Sequence, residues 1–182
     1  MPLNVGYLTC DKTSKGDECY TPFYAVEPII KYLPNDKIIW LPFDEQWSAY
    51  YQLLTEKGYK VVRSSLKDGK DFFDYEPDEW DIIVSNPPFS KKDKVLERCY
   101  QLGKPFALLM PIQTLQGQKR FENFYRFGLE LLTFDQRIGF HTDSKFDKPT
   151  EGNAFASAYF CRNILPEKLI LEKLYKYERK LK

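Results

Sequence analysis

Short apolar segments alternate along this chain with longer segments whose apolar residues recur at helical spacing. The predicted strands are 37–42, 59–64, 80–85, 105–110, 129–134 and 154–161. The predicted helices are 21–33, 47–57, 91–102, a short one through Phe121 and Phe124, and 167–182. Strands separated by helices of roughly 10 to 15 residues indicate βαβ units. The sequence therefore predicts an α/β fold with a mainly parallel sheet and helices on both faces.

Composition limits the classes of protein to which the chain can belong. Its 182 residues correspond to about one domain of ordinary size, so a single domain is expected over 1–182. The 27 Lys and Arg nearly balance the 26 Asp and Glu, so any nucleic-acid surface has to be a local patch. No apolar run approaches the roughly 18 residues of a membrane span, and no secretory signal is evident. A cytoplasmic protein without membrane contact is expected.

The cysteine and histidine content argues against a zinc site. The four cysteines are Cys10, Cys19, Cys99 and Cys161, and His141 is the single histidine. No Cys-x-x-Cys pair occurs, which zinc sites commonly use. In a chain without an export signal, the cysteines are expected to be free and mostly buried.

The loops that follow the predicted strands are where a ligand site is expected. In parallel sheets, ligands bind beyond the carboxyl ends of the strands, near the point where the strand order reverses. This rule selects the loops 41–47, 64–73, 85–92 and 110–116.

The loop after the strand 80–85 has an unusual composition, Asn86-Pro87-Pro88-Phe89. The two prolines fix the backbone and remove two N–H donors, so the loop is stiff and presents its carbonyl groups without competing donors. Asn86 adds a side-chain acceptor. Such a cluster suits an exocyclic amine held by the Asn86 oxygen and the Pro87 carbonyl, with Phe89 stacked on the ring. The alternative is a tight turn that merely ends the strand.

Asn86-Pro87-Pro88-Phe89 resembles the Asn-Pro-Pro-Phe/Tyr signature of the amino-group methyltransferases. These are class I S-adenosylmethionine-dependent enzymes that methylate N6 of adenine in DNA, and their relatives act on RNA amines and protein glutamines. The resemblance implies a Rossmann-like, mainly parallel seven-stranded sheet with one late antiparallel strand, 154–161. It also implies S-adenosylmethionine as the cofactor and a catalytic role for Asn86, Pro87, Pro88 and Phe89.

The same resemblance assigns cofactor-binding residues in three segments that precede the catalytic loop. They are Tyr20, Thr21 and Pro22 in the amino-terminal motif, Pro42 and Phe43 after the first strand, and Asp71 and Phe72 in the segment that binds the cofactor's adenine.

The loop 41–47 departs from the family's acid-Pro-Phe-x-Gly-x-Gly pattern. It has no glycine and no acid before Pro42, and Asp44 and Glu45 form an acidic turn that would narrow the pocket or oppose the cofactor's carboxylate. The acid with which the family's second strand normally ends is also replaced in this chain, and Asp68 lies nearby as a candidate substitute. Two interpretations follow, a divergent active enzyme or a fold that keeps its catalytic loop and binds the cofactor poorly.

DNA is the expected partner, through a target adenine that is flipped out of the duplex. The chain has no room for a separate target-recognition domain, and 113–127 and 137–152 are the candidate recognition segments. Either a very short site is read, or a protein partner supplies recognition, or the substrate is not duplex DNA.

Ser90, Lys91 and Lys92 flank the catalytic loop as expected nucleic-acid contacts, although such lysines also occur in a solvated first helical turn. Phe121, Phe124 and Phe127 are expected in the core. Two hypotheses result, a small N6-adenine DNA methyltransferase and a binding protein on the same scaffold.

Overall fold

A computed structural model describes residues 19–141 and 155–179, and within them the chain forms four α-helices and seven strands. The helices are α1 Phe23–Ile30, α2 Ala49–Glu56, α3 Lys92–Leu102 and α4 Gln118–Phe127. The strands are β1 Ile38–Leu41, β2 Lys60–Arg63, β3 Ile82–Ser85, β4 Phe106–Pro111, β5 Glu130–Phe134, β6 Ser157–Arg162 and β7 Leu169–Glu172.

All seven strands belong to one sheet, in the order β2-β1-β3-β4-β6-β5-β7. Strand β6 runs antiparallel to both of its neighbours, and every other pairing is parallel. This confirms the predicted mixed α/β fold, a mainly parallel seven-stranded sheet with one late antiparallel strand. Residue 154, where that strand was predicted to begin, lies outside the described residues.

Two hydrophobic cores lie on opposite faces of the sheet, because successive strand residues point to opposite sides. In β1, Ile39 and Leu41 join one core together with α1 and α2, whereas Trp40 joins the other core together with α3. Strands β3 and β4 alternate in the same way. The result is three layers, with helices on both faces as predicted.

Local signals set the helix boundaries. The Ser48 hydroxyl accepts a hydrogen bond from the backbone N–H of Tyr51 at 3.1 Å, which caps the amino end of α2. Gly103 ends α3 in the left-handed conformation, with φ of 73°. None of the helices in the described residues has the length and apolar character needed to span a membrane.

The predicted carboxy-terminal helix over 167–182 is wrong. Strand β7 forms there, pairs with β5 in parallel, and is followed by irregular chain through residue 179. Leu131 N–H donates to the Lys168 carbonyl at 2.9 Å, and Asp135 N–H donates to the Glu172 carbonyl at 3.1 Å. The unpaired edge of β5 therefore overrides the helical pattern, because backbone groups at that edge need partners. Residues 180–182 lie outside the described part.

The predicted burial of the α4 aromatic residues is also wrong for two of the three. Phe121 is 59% exposed and Phe127 is 48% exposed, whereas Phe124 is half-buried against Tyr100 and Phe160. Helix α4 packs on the sheet mainly through Phe124. Phe121 and Phe127, three residues away on either side, extend past the edge of the core.

The expectation of free, buried cysteines is confirmed for Cys99 and Cys161. It is wrong for Cys19, which is disulfide-bonded. Cys10 lies outside the described residues.

Candidate functional site

The sheet places a cavity at the point where its strand order reverses. Strand β1 lies between β2 and β3, so the loops after β1 and β3 diverge at their carboxyl ends and leave a crevice. A cavity of about 320 Å³ occupies this place, lined by residues from 19–21, 43–45, 47–50, 65–67 and 86–88. Four segments that are distant in sequence therefore meet around one concave surface.

Asn86 lines this cavity and carries an acceptor that has no partner among the described residues. Its Nδ2 donates to the Cys19 carbonyl at 2.6 Å, and because a carbonyl only accepts, this bond fixes which side of the amide is Oδ1. The Oδ1 atom is buried and accepts no hydrogen bond from any residue that the structure describes. A buried acceptor in this state destabilises the protein, which makes it a candidate for binding a donor on a ligand.

The two prolines and Phe89 have different surroundings. Pro87 and Pro88 line the cavity beside Asn86. Phe89 is 1% exposed and packs edge-to-face on Phe155 at 5.3 Å and on Phe140 at 6.0 Å. The expectation that Phe89 stacks on a bound ring therefore does not match this arrangement, because its ring is already covered by two other aromatic side chains.

Asp44 is a buried carboxylate on the cavity wall. It is 7% exposed, and the Ser85 hydroxyl donates to its Oδ2 at 2.6 Å. Desolvation raises the pKa of Asp44 to about 6, although hydrogen bonds from the Ser85 and Ser48 hydroxyls oppose this shift. No cationic side chain within the described residues forms an ion pair with it.

The neighbouring Glu45 differs from Asp44 because it already has cationic partners. Its carboxylate lies 3.5 Å from Arg63 and 3.8 Å from Lys67. Asp44 and Glu45 both line the cavity, and within the described residues only the Glu45 carboxylate has cationic partners.

Aromatic side chains form another part of the wall. Tyr20 and Trp47 pack edge-to-face with their ring centres 5.0 Å apart, and both line the cavity with Phe43. The backbone of Tyr20 exchanges two hydrogen bonds of 2.9 Å with the backbone of His141, which fixes the segment before α1 against the chain after β5. The wall is therefore partly aromatic, as is common in sites that bind small molecules.

The structure brings some of the expected cofactor residues together and separates others. Tyr20, Thr21 and Phe43 line the cavity, and the buried Pro22 and Pro42 lie next to them in the chain. Asp71 and Phe72 do not line it.

Asp71 and Phe72 have local structural contacts instead. Asp71 Oδ1 accepts from the Phe73 N–H at 3.0 Å. Phe72 is 2% exposed and packs on Phe43 at 5.0 Å and on Trp40 at 5.3 Å, so it supports the cavity from behind.

Several cavity residues had no binding role assigned from the sequence, namely Asp44, Trp47, Ser48, Ser65 and Lys67. The loops 41–47 and 64–73, selected by their position after β1 and β2, contain all of them except Ser48.

The expected nucleic-acid residues lie outside the cavity lining. Ser90 and Lys91 are exposed, and Lys91 Nζ lies 5.8 Å from the centre of the Phe73 ring. Lys92 is half-buried, with its Nζ 3.5 Å from the Phe89 carbonyl.

No protein-family model matches the chain, and no curated protein matches it. Its fold is similar to the crystal structure of a dimethyladenosine transferase from Plasmodium falciparum, with a TM-score of 0.45 and 10% sequence identity. The match covers 80% of this chain and 62% of that chain, so this chain spans less than two thirds of its neighbour's length.

Proposed function

We propose that this chain is an S-adenosylmethionine-dependent methyltransferase that acts on N6 of adenine in DNA. The observation that carries the proposal is Asn86 Oδ1, a buried acceptor at the cavity that has no partner among the described residues. It stands beside Pro87, whose backbone has no N–H to compete for a ligand.

An exocyclic amine fits this acceptor cluster. Its two N–H groups would donate to Asn86 Oδ1 and to the Pro87 carbonyl, which turns the nitrogen lone pair out of conjugation with the ring. Positioning of this kind contributes several kcal/mol to catalysis, and both acceptors also stabilise the positive charge that develops on nitrogen. The nitrogen forms the new bond to carbon and then releases one proton to water, so no strong base is required.

The residues at the cavity fit S-adenosylmethionine. When bound, S-adenosylmethionine supplies an electrophilic methyl group and takes the electron pair of the broken carbon–sulfur bond. Asp44 would attract its cationic groups, the ammonium and the sulfonium, because this carboxylate is buried and has no ion-pair partner in the described part of the chain. Tyr20, Phe43 and Trp47 would contact its planar adenine. The volume of about 320 Å³ lies at the lower end of the range for small-molecule sites.

Asp44 also bears on the departure from the family's first-loop pattern. That pattern has its acid before Pro-Phe, whereas this chain has Leu41 there and Asp44 directly after Phe43. We propose that Asp44 takes the place of the missing acid, and that the enzyme is divergent and active.

DNA methylation requires the target adenine to leave the base stack, since a base within a duplex does not reach a cavity of this kind. An adenine that is already unpaired avoids the energy of unstacking and unpairing. We therefore expect single-stranded or distorted DNA to be a better substrate than a perfect duplex.

Two measurements test the proposal. Titration calorimetry with S-adenosylmethionine is expected to give saturable heat, and no heat at millimolar ligand would end the proposal of an active enzyme. Mass spectrometry of nucleosides is then expected to find N6-methyladenine in DNA incubated with the protein and S-adenosylmethionine. Methylation confined to RNA adenine, or to an amide in a peptide, would overturn DNA as the substrate and leave methyl transfer to an amino group as the reaction.

A binding protein on the same scaffold is the second candidate, and the glycine-free loop after β1 favours it. A cellular effect of the chain that persists after Asn86→Ala would support this candidate against the enzyme.

Charge reversal at Lys91 and Lys92 is expected to weaken DNA binding. Each phosphate contact that is lost should reduce the slope of log affinity against log salt by about one. The measurement is fluorescence anisotropy of a labelled oligonucleotide between low and moderate salt. Lys57→Glu/Lys60→Glu is the matched control, because these exposed lysines lie at the amino end of β2, away from the cavity. An unchanged binding isotherm for the Lys91/Lys92 variant would count against this contact.

A further inference from the structure

Helix α4 exposes a stacked pair of aromatic rings. Phe121 is 59% exposed and Tyr125 is 80% exposed, and they stand four residues apart on one side of the helix. Their ring centres are 5.8 Å apart with an interplanar angle of 19°, so they stack on each other and still offer open ring faces. Two large adjacent aromatic side chains at such exposure indicate a binding surface.

A shallow groove continues from this pair towards the start of the helix. Its volume is about 690 Å³, and its lining includes Phe121, Lys119 and the half-exposed Leu115. Phe121 thus lies at one end of a longer concave surface, with Tyr125 stacked beside it.

Helix α4 carries more basic than acidic side chains. On α4 itself, Lys119 and Arg126 are exposed and face a single exposed acid, Glu122. Arg120 forms an ion pair with Asp93 at the amino end of α3, which holds the two helices together. A local basic surface therefore exists although the whole chain has a net charge of only +1.

The same ion pair brings further lysines to this surface. Lys94 lies next to Asp93 and Lys91 lies two residues before it, at the start of α3, and both are exposed. Exposed basic residues therefore occur on both of the helices that the ion pair joins.

The start of α4 and the cavity lie at the same edge of the sheet. Strands β3 and β4 are parallel neighbours, and both end there. Asn86 follows β3, and the chain after β4 passes through Ile112–Leu115 into α4. A strand bound along α4 can therefore reach the cavity without crossing the sheet.

We propose that the α4 surface, formed by Phe121, Tyr125, Lys119 and Arg126, binds the single-stranded nucleic acid that flanks the target base. Unpaired bases stack on the two rings, and basic side chains contact the phosphates, as in other single-strand binding surfaces. The role of this strand as substrate rests on the proposed methyltransferase function. The aromatic pair gives the chain a means of holding an unpaired strand.

The test is binding of a fluorescein-labelled oligothymidylate, which contains no adenine and so engages no target base. The Phe121→Ala/Tyr125→Ala variant is expected to bind it about tenfold to a hundredfold more weakly than the wild type. The Phe121→Leu/Tyr125→Leu variant keeps the surface apolar and removes the rings, so it should lose affinity similarly. Tyr175→Ala, which changes a tyrosine 77% exposed after β7, should bind as the wild type does.

Three results would overturn the proposal. The first is unchanged oligothymidylate binding by the alanine variant. The second is full binding by the leucine variant, which would indicate a general apolar contact. The third is loss of self-association by the alanine variant in sedimentation with its oligonucleotide affinity intact, which would assign the surface to contact between copies of the chain.

The heat of S-adenosylmethionine binding separates this proposal from the proposed function. If the wild type binds oligothymidylate through α4 and gives no heat with S-adenosylmethionine, the methyltransferase function fails and the surface remains. If the heat is present and the α4 variants bind normally, only the surface proposal fails.

Discussion

Replacing Asn86 with alanine is expected to reduce methyl transfer about 10²- to 10³-fold, the size of effect seen when one preorganised polar group is removed from an active site. The side chain is held by the Cys19 carbonyl at 2.6 Å, so its acceptor atom is positioned before any substrate arrives. Alanine removes this acceptor and leaves the Pro87 carbonyl alone to orient the amine. Single-turnover transfer of labelled methyl to single-stranded DNA measures the effect.

S-adenosylmethionine binding should change little in Asn86→Ala, because Asp44 and the aromatic wall remain. Calorimetry on the same preparation checks this. Asn35→Ala is the matched control, since it makes the same substitution at an exposed site before β1. A full transfer rate in Asn86→Ala would show that Asn86 does not hold the amine. Loss of S-adenosylmethionine binding together with transfer would instead place Asn86 in cofactor binding.

Asn86→Asp tests whether the acceptor must be oriented by the bond to the Cys19 carbonyl, or whether its presence is sufficient. Aspartate keeps an oxygen that can accept from the amine, but it has no N–H for the Cys19 carbonyl, and two oxygens at 2.6 Å repel each other. The side chain is therefore expected to turn, and transfer should fall well below the wild-type rate. An Asn86→Asp variant as active as the wild type would show that the bond to Cys19 is dispensable.

The parts of the fold that sequence could predict are those specified by local patterns. Strands β1, β3 and β4 are short apolar runs bounded by polar or turn-forming residues, so their existence follows from the chain itself. The position of Asn86 at the carboxyl end of β3 follows as well, and with it the edge of the sheet where a ligand site is expected.

The errors arise where distant segments decide the outcome. Residues 167–182 have helical spacing, yet the unpaired edge of β5 selects β7. Phe89 is buried because Phe140 and Phe155, more than 50 residues further along the chain, cover its ring. The periodicity of α4 suggested burial for Phe121, but periodicity does not reveal how far the core extends beneath a helix. Each of these facts depends on tertiary contacts that a single sequence does not display.

Asp44→Asn is expected to stabilise the protein at pH 8 by up to about 3 kcal/mol. The pKa of Asp44 is about 6 in the folded chain against an ordinary value of 3.8, so the folded state binds this proton more tightly than the unfolded state. The free energy of unfolding therefore falls as pH rises from about 4 to about 6. Above pH 6 the full penalty of the buried charge is present, and asparagine removes it.

Denaturant unfolding at pH 4 and pH 8 measures this effect. At pH 4 the carboxyl is protonated in the folded state, so Asp44→Asn should raise the free energy of unfolding only a little at that pH. Glu45→Gln is the matched control, because Glu45 is ion-paired with Arg63 and its charge contributes least to the raised pKa of Asp44, so its removal should bring little gain in stability at pH 8. If Asp44→Asn changed the free energy of unfolding equally at both pH values, the Asp44 charge would not be the cause of the stabilisation.

The same substitution is expected to weaken S-adenosylmethionine binding about tenfold to a hundredfold at pH 8, the usual worth of a hydrogen bond to a charged group. In the wild type, affinity should fall about tenfold between pH 7 and pH 5, since protonation of Asp44 competes with the cationic ligand. Calorimetry of both proteins across this range measures the two effects together. A variant that is more stable and binds S-adenosylmethionine as tightly as the wild type would show that the Asp44 charge has no role in ligand binding. A carboxylate that destabilises the free protein is explained by function only if a bound ligand compensates for that cost.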